Sequence, residues 1–98
     1  MSNTYWLNGK YIQKEEAYVS PLTHTLHYGL GAFEGVRSYI SHDKKSVNIF
    51  RLKDHTERLF ESAKIINVEI NHSIDEVMEA QLGVIKKSEL HDAYIRPL

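Results

Sequence analysis

The sequence predicts an α+β fold: a small two-layer domain in which a largely antiparallel sheet carries two helices on one face. Three observations predict it. Short β-prone runs come in pairs joined by tight or polar connections, as in YWLNGKYI near the N-terminus. Two longer stretches then place apolar residues at helical spacing. A last β-prone run follows them, so the order reads β-β-loop-β-β-α-α-β. Helices that bury one stripe against an antiparallel sheet give a two-layer architecture.

Each element has its own signal. Tyr5-Trp6-Leu7 and Lys10-Tyr11-Ile12 flank Asn8-Gly9. Asn-Gly is the strongest short hairpin signal, because both central residues of the turn take φ > 0. Ser20-Pro21 marks a turn. Residues 22–34 read as loop or a short helix broken by glycines. Val36-Arg37-Ser38-Tyr39-Ile40 alternates as a strand, Ser41 to Ser46 is a polar connection, and Val47-Asn48-Ile49-Phe50 is the return strand. Leu52, His55 or Thr56, Leu59, Ala63 and Ile66 then predict a helix at about 52–66. Ser73 and Glu76 form a capping-box pattern ahead of Ile74, Val77, Met78, Leu82 and Ile85, which predicts a second helix to about Leu90. Gly83 inside it costs about 1 kcal/mol relative to Ala. The final strand begins near Ala93.

Composition narrows the function classes. A chain of 98 residues suits one domain with a thin stability margin. Its 12 basic and 13 acidic residues leave no electrostatic footprint for nucleic acid, and no cationic amphipathic stretch marks a membrane surface. Cysteine is absent, so neither a disulfide framework nor a thiolate nucleophile is on offer. MSNTYWLNGK lacks the apolar core of a signal peptide, and the expected location is the cytoplasm. The closing AYIRPL reads as a strand in progress with no polar tail, which leads us to expect the N-terminal piece of a longer protein.

The chemistry concentrates in HYGLGAFEG, residues 27–35. Gly29, Gly31 and Gly35 do not follow the dinucleotide spacing, and no Gly-Lys-Ser/Thr follows to make a phosphate loop. A wall for a mixed apolar and anionic pocket, built with Tyr28 and Phe33, remains open. His24 and His27 give H-x-x-H, too few ligands for a metal, and read as histidines bonding backbone groups. No G-x-S-x-G elbow is present. Glu15-Glu16 and Asp75-Glu76 read as caps and solvated charge.

Three arginines are candidates for an anion. Arg58 lies beside the apolar Leu59, at the margin of the helix stripe, where a guanidinium fork can clamp an anion. The same spacing offers surface pairs with Asp54 or Glu61, the commoner arrangement. Strand alternation puts Arg37 on the face opposite Val36 and Ser38, and Arg96 lies likewise between Ile95 and Pro97. Each suits a carboxylate beside Tyr39 or Tyr94, and each is equally a solvated arginine.

HYGLGAFEGVRSY, IFRLKDHTERLFESAKI and AYIRPL, in that order, resemble the N-terminal domain of the branched-chain amino acid aminotransferases, fold-type IV enzymes that use pyridoxal 5'-phosphate. The resemblance runs from Tyr5 to Leu98. LTHTLHYGLGAFEGVRSY is its most specific block, and the pattern His55, Arg58, Leu59, Ser62, Ala63 is the second. D-amino acid aminotransferase and aminodeoxychorismate lyase share much of both; the AYIRPL ending is more like the branched-chain enzymes. A stand-alone interaction domain is the remaining alternative.

The resemblance implies roles. Arg58 matches the arginine that binds the cofactor phosphate. Tyr28, Phe33 and Gly35 match residues lining the substrate pocket, with Tyr94 a neighbour. Arg96, with Tyr28, matches the group that receives the distal carboxylate of glutamate, and Arg37 is a lesser candidate for it. The implied reaction is a ping-pong transamination between leucine, isoleucine or valine and 2-oxoglutarate, in a homodimer or higher homo-oligomer. The lysine that bonds the cofactor, and the glutamate that pairs with its pyridine nitrogen, belong to a second domain. Lys10, Lys14, Lys44, Lys45, Lys53, Lys64, Lys86 and Lys87 match no such context, so the 98 residues alone are expected to be inactive.

Overall fold

The structure is a computed structural model that describes residues 4–98, without the side chain of His24. The elements are β1 (Tyr5–Leu7), β2 (Lys10–Ile12), a 3-10 turn (Lys14–Glu16), α1 (His24–Tyr28), β3 (Val36–Ile40), β4 (Val47–Ile49), α2 (Leu52–Ile65), α3 (Ile74–Ser88) and β5 (Ala93–Ile95). The expected order holds. The boundaries differ by a residue or two: β4 stops at Ile49, and α3 stops at Ser88, where Glu89 turns left-handed at φ 55. All pairings are antiparallel, but the strands form two sheets. β1 and β2 make a hairpin, and β4-β3-β5 make a three-stranded sheet.

The hairpin turn has Asn8 at φ 50 and Gly9 at φ 92, the geometry that Asn-Gly specifies. Instead of joining the other sheet, the hairpin docks on α3. The Thr4 amide donates to Ser88 Oγ at 2.8 Å, and both residues are buried. Trp6 meets His72 edge-on at 4.9 Å. Tyr11 lies over Gly83, where even a methyl group would overlap its ring. That approach explains a glycine inside a helix. Removing the Ser88 hydroxyl in Ser88→Ala is expected to destabilise the chain by about 1–2 kcal/mol, because the Thr4 amide stays buried without its partner. Urea denaturation would measure it.

α3 also covers the inner face of the larger sheet. Val36, Ile85 and Ile95 form the core, with Val47, Ile49, Leu90 and Ala93 packed against them. α2 packs beside α3, burying Leu52, Thr56, Leu59 and Ala63, so Thr56 rather than His55 takes the inward position. One expectation needs correcting here. Leu82 is 43% exposed, and the buried position beside it is Gln81. Gln81 Nε2 donates to Thr56 Oγ1 at 2.9 Å, so a polar clasp rather than an apolar contact joins the two helices there. The Ser73 capping box is formed, with the Glu76 amide donating to Ser73 Oγ and the Ser73 amide to Glu76 Oε1.

Candidate active site

The register of β3 on β5 fixes what each face carries. Val36 lies opposite Ile95 and Arg37 opposite Tyr94. The Glu34 amide donates to Pro97 O at 3.0 Å, extending the ladder past the end of both strands. Side chains alternate along a strand. Glu34, Val36 and Ser38 are therefore buried toward the helices, and Phe33, Arg37 and Tyr39 are exposed on the other face together with Tyr94 and Arg96.

The outer face carries a cation held among rings. Arg96 Cζ lies 4.6 Å from the Phe33 ring centre and 5.5 Å from that of Tyr94. Arg96 Nη2 donates to Tyr94 Oη at 3.1 Å. Guanidinium groups favour aromatic faces, and a stacked guanidinium still offers in-plane donors at its edge. Gly35 makes this possible in a specific way. A Cβ at Gly35 would run into the Tyr94 hydroxyl, so the missing side chain leaves room for Tyr94. Arg37 is one strand position further along, with its guanidinium 5.9 Å from the Tyr39 ring. Tyr28 is placed by α1, which ends at Gly29 in a left-handed cap, and its ring lies 6.2 Å from that of His27.

The inner side of the same loop carries the second half. Arg58 Nε donates to Glu34 Oε2 at 2.9 Å and Arg58 Nη2 to Glu34 Oε1 at 2.6 Å. This overturns both surface partners expected for Arg58: Asp54 is taken by Arg51 at 2.7 Å, and the Arg58 fork closes on Glu34. His55 Nδ1 lies 2.9 Å from Glu34 Oε1. An ionised carboxylate only accepts, so Nδ1 carries the proton and donates. The Arg58 fork is the largest influence on Glu34. Aided by His55 and opposed by burial, it lowers the carboxyl from 4.5 to about 2. The same pairing raises Arg58 further.

Glu34 and His55 are the members of this cluster to which the sequence reading gave no role. The signal was available. Carrying the β3 alternation back two residues puts Glu34 inward, and a buried carboxylate requires a cation. His55 and Arg58, three apart on one helix face, are the groups able to supply it.

The Glu34 pair makes acid stability testable. The carboxyl titrates lower in the folded chain than when unfolded, so the folded state binds fewer protons. Its contribution is present above pH 4.5 and is lost as pH falls through about 2. Because Arg58 is open to solvent and the pair is screened, that contribution is small, about 1 kcal/mol or less. Urea midpoints measured from pH 6 downward are expected to fall for the unaltered chain more steeply than for Glu34→Gln.

The donor set suits a phosphate. Arg58 has a side chain 64% exposed and uses two of its N–H groups on Glu34. A guanidinium has five, so three have no hydrogen-bond partner among the described residues. Among the described residues, no helix is long and apolar enough to cross a membrane, and no group of three or more His, Asp or Glu converges on a metal position. His27 Nε2 lies 2.6 Å from Pro21 O, while the His24 side chain lies outside the described residues. All eight candidate lysines are exposed.

The sheet face thus presents arginine among aromatic rings, beside a helix whose Arg58 guanidinium is held by Glu34. Comparison with known proteins makes this specific. The amino-transferase class IV family matches residues 31–98, and the chain belongs to that family. It is 47% identical over 93 residues to a branched-chain-amino-acid aminotransferase of Pseudomonas aeruginosa, and 48% identical over 93 residues to that of Escherichia coli K12. These matches cover 95% of this chain and 30% and 29% of the relatives, so it spans about a third of their length. The crystal structure of the Escherichia coli enzyme superposes with a TM-score of 0.89 at 45% identity, covering 98% of this chain and 32% of that one. The T.th. branched-chain amino acid aminotransferase, complexed with N-(5'-phosphopyridoxyl)-L-glutamate, superposes with a TM-score of 0.91 at 40% identity, with the same coverage.

Proposed function

We propose that this chain is the N-terminal small domain of a branched-chain amino acid aminotransferase that acts with pyridoxal 5'-phosphate. The observation that carries the proposal is the pair of anion-ready arginines on the two sides of one short loop. Arg58 stands behind Glu34, and Arg96 lies over Phe33. The relatives named above support the substrate class.

Residues of this chain then take distinct tasks. Arg58 binds the phosphate through its outward N–H groups. Arg96, steadied by Tyr94, receives the distal carboxylate of glutamate. Phe33 walls the pocket for leucine, isoleucine or valine, and Tyr28 closes the same wall from α1. Gly35 keeps Tyr94 close to Arg96, and Arg37 adds positive charge to the face. One face thereby accepts both side-chain types. An apolar side chain lies on the ring, and a carboxylate meets the guanidinium edge. When bound, pyridoxal phosphate supplies the electron sink that lets the α-proton of the amino acid leave. The lysine that moves this proton comes from a second domain, so the 98 residues alone neither turn over nor retain the cofactor. The working protein is a cytoplasmic homodimer or higher homo-oligomer.

The test is a substrate panel on the protein carrying both domains, with glutamate formation from 2-oxoglutarate as readout. Leucine, isoleucine and valine are expected to be the best donors. Preference for D-alanine, or pyruvate release from aminodeoxychorismate, would overturn the reading in favour of another fold-type IV enzyme. For the 98-residue chain, incubation with pyridoxal phosphate is expected to leave an unmodified intact mass and only free-cofactor absorbance at about 330–430 nm.

A further inference from the structure

We propose that Glu34 is a positioning residue for the anion site: its buried carboxylate, braced by His55, holds the Arg58 guanidinium so that the outer edge faces the bound phosphate. This rests on the phosphate reading of Arg58 and deepens it. Glu34 would touch neither phosphate nor substrate.

The geometry has three parts. The Glu34 side chain is 7% exposed, whereas that of Arg58 is 64% exposed, so the carboxylate is the fixed partner and the guanidinium the one being held. Both Glu34 oxygens are used on Arg58, through Nε and Nη2, which fixes the plane of the fork as well as its position. His55 approaches Oε1 at 2.9 Å and anchors the carboxylate from the same helix. The backbone contributes too, because the Glu34 amide is tied to Pro97 O. An unheld arginine samples many rotamers, and ordering it on ligand binding lowers affinity. Here the ordering is done by the fold.

A carboxylate beside a phosphate-binding arginine has two opposing effects, and the opposition makes the proposal decidable. As a charge, Glu34 repels phosphate, so neutralising it should tighten binding. As a positioning group, it orders Arg58, so neutralising it should weaken binding. The two roles predict opposite signs for Glu34→Gln, which keeps size and shape.

The experiment is a titration of the chain with inorganic phosphate at neutral pH, followed through backbone amide NMR signals in every variant and through the Arg58 side-chain signals where that residue is kept. It is run on the unaltered chain, Glu34→Gln and Arg58→Lys, with unfolding temperature recorded for each. Glu34→Gln is expected to weaken phosphate binding about 3- to 10-fold, the scale of one ordered side chain, and to free rotation about the Arg58 Nε–Cζ bond. Binding as tight as or tighter than in the unaltered chain would overturn the proposal. Unchanged binding in Arg58→Lys would overturn the underlying phosphate reading instead. Should Glu34→Gln not fold, the unaltered chain still decides. Hindered Nε–Cζ rotation at Arg58, with phosphate perturbing Nη1 and not Nε, supports positioning. Free rotation sinks it.

Discussion

Arg58→Ala is expected to weaken pyridoxal phosphate binding about 100-fold in the protein that carries both domains. Charge-assisted hydrogen bonds to an ionised group contribute about 1.5–3 kcal/mol each, so the loss of one to two such bonds corresponds to about that factor. The outward edge of Arg58 is free to make them, since Glu34 occupies only Nε and one bond of Nη2. Equilibrium dialysis of cofactor against protein would measure the loss. Pyridoxal without its phosphate serves as the control and should lose almost nothing. An equal loss for both ligands would mean that the substitution had damaged the fold, and that the phosphate has another anchor.

The second large effect is structural. Ile85→Ala is expected to cost about 3 kcal/mol, in the range measured for truncating a buried aliphatic side chain. Ile85 is 6% exposed and packs with Val36 and Ile95, on the two strands that carry the outer cluster. A domain of this size holds about 5–15 kcal/mol in total, so one such truncation removes a fifth or more of it. The urea midpoint should fall accordingly. Leu82→Ala, one turn away but exposed, should change it little, at about 0.5 kcal/mol or less.

The contrast between those two leucine-sized positions shows where the sequence was legible. Turn and cap chemistry is local, and Asn8-Gly9 and Ser73 with Glu76 were readable as written. Strand alternation was equally plain from Val36 to Ile40. The apolar pattern of α3 misled at Leu82, because the helix has neighbours on two sides. The face toward α2 is filled by Gln81 bonding Thr56, a partner twenty-five positions earlier that no local pattern reveals. Arg58 failed on spacing for the same reason. Its partner Glu34 lies twenty-four positions earlier, whereas helix periodicity points only to Asp54 and Glu61. Family resemblance implied roles for Arg58 and for Arg96. It did not point to Glu34, the carboxylate that closes on Arg58.

The position of β5 also has a consequence for the order of assembly. β3 is the middle strand of its sheet, yet one of its two neighbours is made only after both long helices. As the chain leaves the ribosome, β3 can pair with β4 at once, while its other edge, with the Ser38 hydroxyl that later donates to His91 O, has no partner. Closing that gap spans more than fifty residues and carries the loop-closure cost of a long-range contact. α3 precedes β5 in the chain, so it is synthesised before β5 can seal the edge. Arg96 follows directly behind β5, so the cluster it makes with Phe33 and Tyr94 is among the last parts of this domain to form.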